Sequence, residues 1–192
     1  MTQVAPEDID TLAECGASVV HCPESNLKLG AGVCPVARLL GRGVRVALGT
    51  DGAASNNDLD LLAEARIAGL LSSGIAATPG DLVAADLLRM ATLEGARTLG
   101  LGEVTGSLEP GKWADLCCID LRAARSWPVH DPATAVVYAA SAQQVTDTWV
   151  AGRQLLAQGH LRYIDESAVL ERAEAWRERL DATAGEEAAA DE

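Results

Sequence analysis

VRVALGTDGAASNNDLDLLAEAR, residues 44–66, joins an apolar run, a turn of small residues around one carboxylate, and an amphipathic stretch. The run is apolar but for Arg45, as expected of a strand covered on both faces. Asp51 stands just past its end, among Thr50, Gly52, Ala53, Ala54 and Ser55, none of which can neutralise it. A carboxylate there is costly unless a cation or hydrogen-bond donors face it. In parallel sheets and barrels, functional groups gather at the carboxyl ends of the strands. Asp51 is therefore the first candidate for chemistry. A divalent cation would stabilise its ionised form, and small neighbours would let a ligand approach. The alternative is that Asp51 caps a turn, because Asp-Gly is a common turn pair.

Working outward, residues 6–15 read as a helix, with Pro6 in the first turn, Glu7 and Asp8 at its positive end, and Gly16 to end it. ASVVHC, 17–22, is a short buried strand, and PVARLLGRG, 35–43, a short helix. Residues 44–49 form the next strand and 58–72 a longer helix. Residues 78–92 and 93–101 are two more helical stretches, split near Thr92. Strands alternating with helices predict an α/β fold with a parallel sheet. Near Gly102 the character changes. GSLEPGKWADLCCID, 106–120, reads turn, turn, strand, and 143–159 reads as a hairpin turned at Ala151-Gly152. This β-rich part shows no crossover helix. Residues 165–182 are again helical, with Val169, Leu170, Ala173, Trp176 and Leu180 on one face, and 183–192 read as a disordered acidic tail.

Composition excludes several functions. The net charge of -13, with no basic patch, argues against a nucleic-acid partner. No apolar run is long enough to span a membrane, and MTQVAPEDID has no signal-peptide character, which points to a cytoplasmic protein. Phenylalanine is absent, so the core must be built from Leu, Val, Ala and Ile. Five cysteines without C-x-x-C spacing suit reduced, buried thiols. The glycines around 100–111 do not make a phosphate loop, because Lys112 is followed by Trp113.

The second candidate stretch is HCPESNLKLG, 21–30. His21 ends a strand and should share Asp51's rim, either in the site or as a hydrogen-bonded structural residue. Cys22 is a poor partner for it, since neighbours on a strand point to opposite faces. Ser25 and Asn26 read as loop residues that tie the turn.

Together VVHCPESNLKLGAGVCPV, VRVALGTDGAASNNDLDLLAEAR, ATLEGARTLGLGEVTGSLEPGKWADLCCIDL and VTDTWVAGRQLL resemble the C-terminal part of the metal-dependent amidohydrolase superfamily. The nearest branch holds 5-methylthioadenosine/S-adenosylhomocysteine deaminases and triazine chlorohydrolases. The resemblance implies the last two strands and helices of a (β/α)8 barrel over 1–101, and returning strands of a flanking β-sandwich over 102–164. It implies that Asp51 binds one divalent metal, zinc or iron, and accepts a proton as water attacks a C–N or C–Cl bond of a heteroaromatic amine. It places His21 on the rim, and Asn56 and Asn57 in a loop shaping the site. It also implies a homo-oligomer for the complete enzyme.

The family's H-x-H pair, its two further histidines and its glutamate proton shuttle have no counterpart among His21, His130 and His160 or their neighbours. The chain is therefore expected to be an enzyme fragment that binds no metal alone. The rival expectations are a non-catalytic remnant and one part of a split enzyme.

Overall fold

A computed structural model describes residues 1–76 and 81–190. The order begins α1 (Pro6–Glu14), β1 (Ser18–His21), α2 (Pro23–Lys28), α3 (Val36–Gly41) and β2 (Arg45–Leu48). It continues α4 (Ala53–Asn56), α5 (Leu61–Ala76), α6 (Ala84–Ala91) and α7 (Leu93–Thr98). β1 and β2 pair in parallel, Val19 opposite Val46 and His21 opposite Leu48. Helices cover one face of this pair. Val19, Val46 and Leu48 pack there with Leu39 of α3, Ala65 and Ala68 of α5, and Leu87 of α6. Burying each of the leucines stabilises by about 1.5–3 kcal/mol. On the other face Val20 is 51% exposed. Residues 78–80 of the expected helix 78–92 lie outside the described residues.

The second part begins with β3 (Leu116–Ile119) and α8 (Pro132–Tyr138). After a 3-10 turn come β4 (Val145–Val150), β5 (Arg153–Ala157) and β6 (His160–Leu161). These strands form one antiparallel sheet in the order β3-β4-β5-β6. The β4–β5 hairpin turns at Ala151 and Gly152, as expected. Both have positive φ, 48° and 77°, which a two-residue turn of this hand needs. Asp115 braces the turn by accepting from the Ala151 N–H and the Thr105 hydroxyl.

Four expectations are corrected. α8 lies inside 102–164, which read as returning strands; it joins the antiparallel strands β3 and β4 and so is not a parallel crossover helix. Asp131 caps it by accepting from the Thr134 N–H at 2.8 Å, and Pro132 takes its first position. Its Val137 is fully buried in the core shared with α5 and α6, and Arg66 of α5 donates to the carbonyls of Val137 and Ala140. Second, Ser25 and Asn26 lie in a helical turn, α2, and Asn56 in another, α4, rather than in loops; Asn57 follows α4 directly. Third, α9 runs Glu166–Ala190, so the helix passes its expected end and the expected tail is helical as far as 190. Alanine and glutamate after Gly185 are strong helix formers. Fourth, all five cysteines are free but only Cys34 is buried; Cys15, Cys117 and Cys118 are exposed. Among the described residues no helix is long and apolar enough to cross a membrane.

Gly69 of α5 sits where α6 and α8 approach closely. A Cβ there would sit 2.6 Å from the Tyr138 hydroxyl and 2.7 Å from Leu87 Cδ1. Gly69→Val is expected to destabilise by about 1–3 kcal/mol through overpacking. A urea midpoint unchanged from wild type would contradict the close approach of α5, α6 and α8.

Candidate functional site

The site is assembled where β1 and β2 end. The Gly49 N–H donates to the His21 carbonyl at 3.0 Å, extending the parallel pairing by one bond. The chain then turns sharply at Asp51, whose φ is 64°. Left-handed backbone is tolerated by aspartate because its short polar side chain can bond locally. Two serine hydroxyls hold the carboxylate: Ser25 of α2 and Ser55 of α4 each donate to Oδ2 at 2.7 Å. The Ser55, Ser25 and Gly52 hydrogen bonds pull the Asp51 carboxyl below its ordinary range, so it is ionised at neutral pH. The side chain is exposed, and neither serine occupies Oδ1. The donors that the sequence demanded opposite this carboxylate are therefore two hydroxyls from neighbouring helical turns, joined by the Gly52 N–H.

Behind Asp51 lies a group that the sequence reading missed. Glu64 of α5 is fully shielded from solvent. It accepts from the Glu24 N–H at 3.1 Å and from Asn56 Nδ2 at 2.8 Å. Asn56 also donates to the Glu24 carboxylate at 2.9 Å and accepts from the Leu59 N–H at 2.6 Å. Burial, with Glu24 and Asp58 nearby, raises the Glu64 carboxyl to about 7 against the hydrogen bonds that favour its ionised form. Asn57, at φ 86°, is exposed and accepts from Lys28, which also donates to the Ala54 carbonyl at 2.8 Å. Lys28 was missed as well. The signal for Glu64 was its place at helical spacing among Leu61, Ala65 and Ala68.

His21 is placed elsewhere. Val20 and Cys22 lie nearest the Cβ position of Gly49, on the open face. His21 therefore turns to the helical side. There it is 2% exposed and lines a cavity of about 210 Å³ with Cys34, Val36, Ala68 and Leu71. Burial, aided by the positive chain terminus, lowers its pKa to about 4, so the ring is neutral. The rim position of its backbone is as expected; its side chain does not join Asp51. Asn26 is half-buried in α2, where its carbonyl accepts from the Ala31 N–H at 2.9 Å.

Residues 1–155 match the family model described as "Amidohydrolase family". The chain belongs to the amidohydrolase family. It is 46% identical over 182 residues to the 5-methylthioadenosine/S-adenosylhomocysteine deaminase of Teredinibacter turnerae, covering 95% of this chain and 41% of that relative. A solved adenosine deaminase from Xanthomonas campestris with bound zinc matches with a TM-score of 0.92 and 48% identity, over 95% of this chain and 42% of that one. An atrazine chlorohydrolase from Arthrobacter aurescens complexed with zinc matches at 0.81 and 30%, over 91% and 39%. This amidohydrolase chain thus spans about two fifths of the length of these relatives.

Asp51 suits one ligand position for a divalent metal: it is ionised, exposed and fixed in place. A catalytic zinc takes three or more protein ligands. Among the described residues no group of three or more His, Cys, Asp or Glu could hold a metal ion. The described residues of this amidohydrolase chain therefore do not make a metal centre by themselves.

Proposed function

We propose that this chain forms the last part of a hydrolytic deaminase acting on an aminopurine-like ring. The observation that carries the reading is Asp51 itself. It is an ionised, exposed carboxylate at the end of a parallel strand, with both serines on Oδ2 and neither on Oδ1. In this reading Oδ1 takes a proton from the attacking water and passes it to the departing amine, a role for which a positioned carboxylate is suited. A divalent metal, zinc by analogy with the two solved relatives, supplies Lewis-acid activation of water when bound. Residues 1–101 then correspond to the last two strands and helices of a (β/α)8 barrel, with the exposed Val20 face turned to its interior. Residues 102–164 contribute sandwich strands, with α8 returning to the barrel side. Deamination is preferred to dechlorination because the deaminase relatives share 46% and 48% identity and the chlorohydrolase 30%.

Because one carboxylate cannot complete the site, activity requires ligands from additional polypeptide, whether in the same chain or a partner. The test is ammonia release from aminopurine nucleosides with zinc present. The 192-residue chain alone is expected to give none. The same chain joined behind the preceding part of the Teredinibacter turnerae relative is expected to turn over. A folded fusion inactive on every aminopurine tried, or turnover by the chain alone, would overturn the proposal.

A further inference from the structure

Two short helices hold Asp51, and one buried carboxylate holds both helices. Ser25 lies in α2 and Ser55 in α4, and each donates to Asp51 Oδ2. The residue before Ser25 is Glu24, whose N–H donates to Glu64 Oε2 at 3.1 Å. The residue after Ser55 is Asn56, whose Nδ2 donates to Glu64 Oε1 at 2.8 Å. The two bonds span 40 and 8 residues of sequence, so α2 and α4 are set against a common point on the long helix α5. Asn56 closes the figure by donating also to the Glu24 side chain at 2.9 Å. Neither α2 nor α4 is long enough to be stable as an isolated helix, so such ties decide where their serines lie.

We propose that Glu64 is a positioning residue for Asp51, fixing through the Glu24 amide and the Asn56 side chain the two helical turns whose serines aim that carboxylate. This rests on the reading of Asp51 given under Proposed function. An apolar side chain at 64 would avoid the desolvation of a buried carboxyl. It could not accept from both helices at once. Among the described residues no hydrogen bond joins Glu64 to Asp51, Ser25 or Ser55, so its effect passes through α2 and α4. The expected signature is a change in the chemical step rather than in substrate binding.

The test uses the complete, active fusion protein. Glu64→Leu is expected to lower kcat by about 10–100-fold, the scale of a misplaced reacting group, with KM changed less than about threefold. Glu64→Gln keeps one acceptor oxygen and should fall between. Asn56→Ala should reproduce the Glu64→Leu loss, and the double variant should be no worse than the poorer single one, because both act through one network. Circular dichroism establishes that each variant is folded; if Glu64→Leu is not, Glu64→Gln and Asn56→Ala decide. Additive losses, losses carried by KM alone, or normal kcat in folded variants would overturn the proposal while Asp51→Asn remains inactive. Normal turnover in Asp51→Asn would instead overturn the functional reading on which it rests.

Discussion

Asp51→Asn, made in the complete enzyme, is expected to lower kcat by about 10³-fold or more, within or beyond the usual range for loss of a general acid–base group. Asparagine is nearly the same size and is also tolerated in left-handed backbone, so the φ of 64° is no obstacle. Its amide oxygen can still accept from Ser25 and Ser55. What is lost is the negative charge and a basic oxygen able to hold a proton. Ser25→Ala and Ser55→Ala should have smaller effects in the same direction, since each removes one of the bonds that hold the carboxylate ionised and fixed. The measurement is initial-rate ammonia release alongside thermal melts. Turnover near wild type in a folded Asp51→Asn protein would leave Asp51 as the turn residue that Asp-Gly alone suggests.

Legibility in the sequence followed the range of the interactions. β2, the Asp51 turn and α5 could be read because strand, breaker and helix signals are all local to residues 44–66. The Ala151-Gly152 hairpin was legible for the same reason. α2 and α4 were not, because their residues make a helical turn under tertiary constraint: Ser25 to Asp51 spans 26 residues and Lys28 to Ala54 another 26. α8 carried a readable start, Asp131-Pro132, which the surrounding strand signals masked. For His21 the sequence leaves two readings open, in the site or as a structural residue, and one further step separates them. Strand parity puts it on the side of Val19, two residues before it, so a buried Val19 implies a His21 turned to the helices. Glu64 was the opposite case. A glutamate inside a helix reads as solvated unless its place on the apolar face is weighed, and the groups that satisfy it, the Glu24 N–H and Asn56 Nδ2, come from distant α2 and from α4.

The stability of the protein is expected to be nearly level from pH 4.5 to 6.5, because two buried groups titrate in opposite senses there. Glu64 has a folded pKa of about 7 against an ordinary 4.5. Over that interval the folded state binds more protons than the unfolded state, so stability falls as pH rises. His21 has a folded pKa of about 4 against an ordinary 6.5. Between these values the unfolded state binds more protons, so stability rises with pH. At about 1.4 kcal/mol per pKa unit, each group contributes on the order of 3 kcal/mol across its window. The slopes oppose one another until His21 is neutral in both states, near pH 6.5, after which Glu64 alone lowers stability. Glu24, whose carboxyl burial and Asp58 also raise, adds to the Glu64 side. Glu64→Gln should therefore turn the level region into a rise with pH, and His21→Gln should turn it into a fall. Urea midpoints at fixed ionic strength, taken every half pH unit from 4.5 to 8, would separate the three profiles. Parallel curves for wild type and both variants would mean that neither group titrates abnormally in the fold, and that Glu64 and His21 are better hydrated than their burial implies.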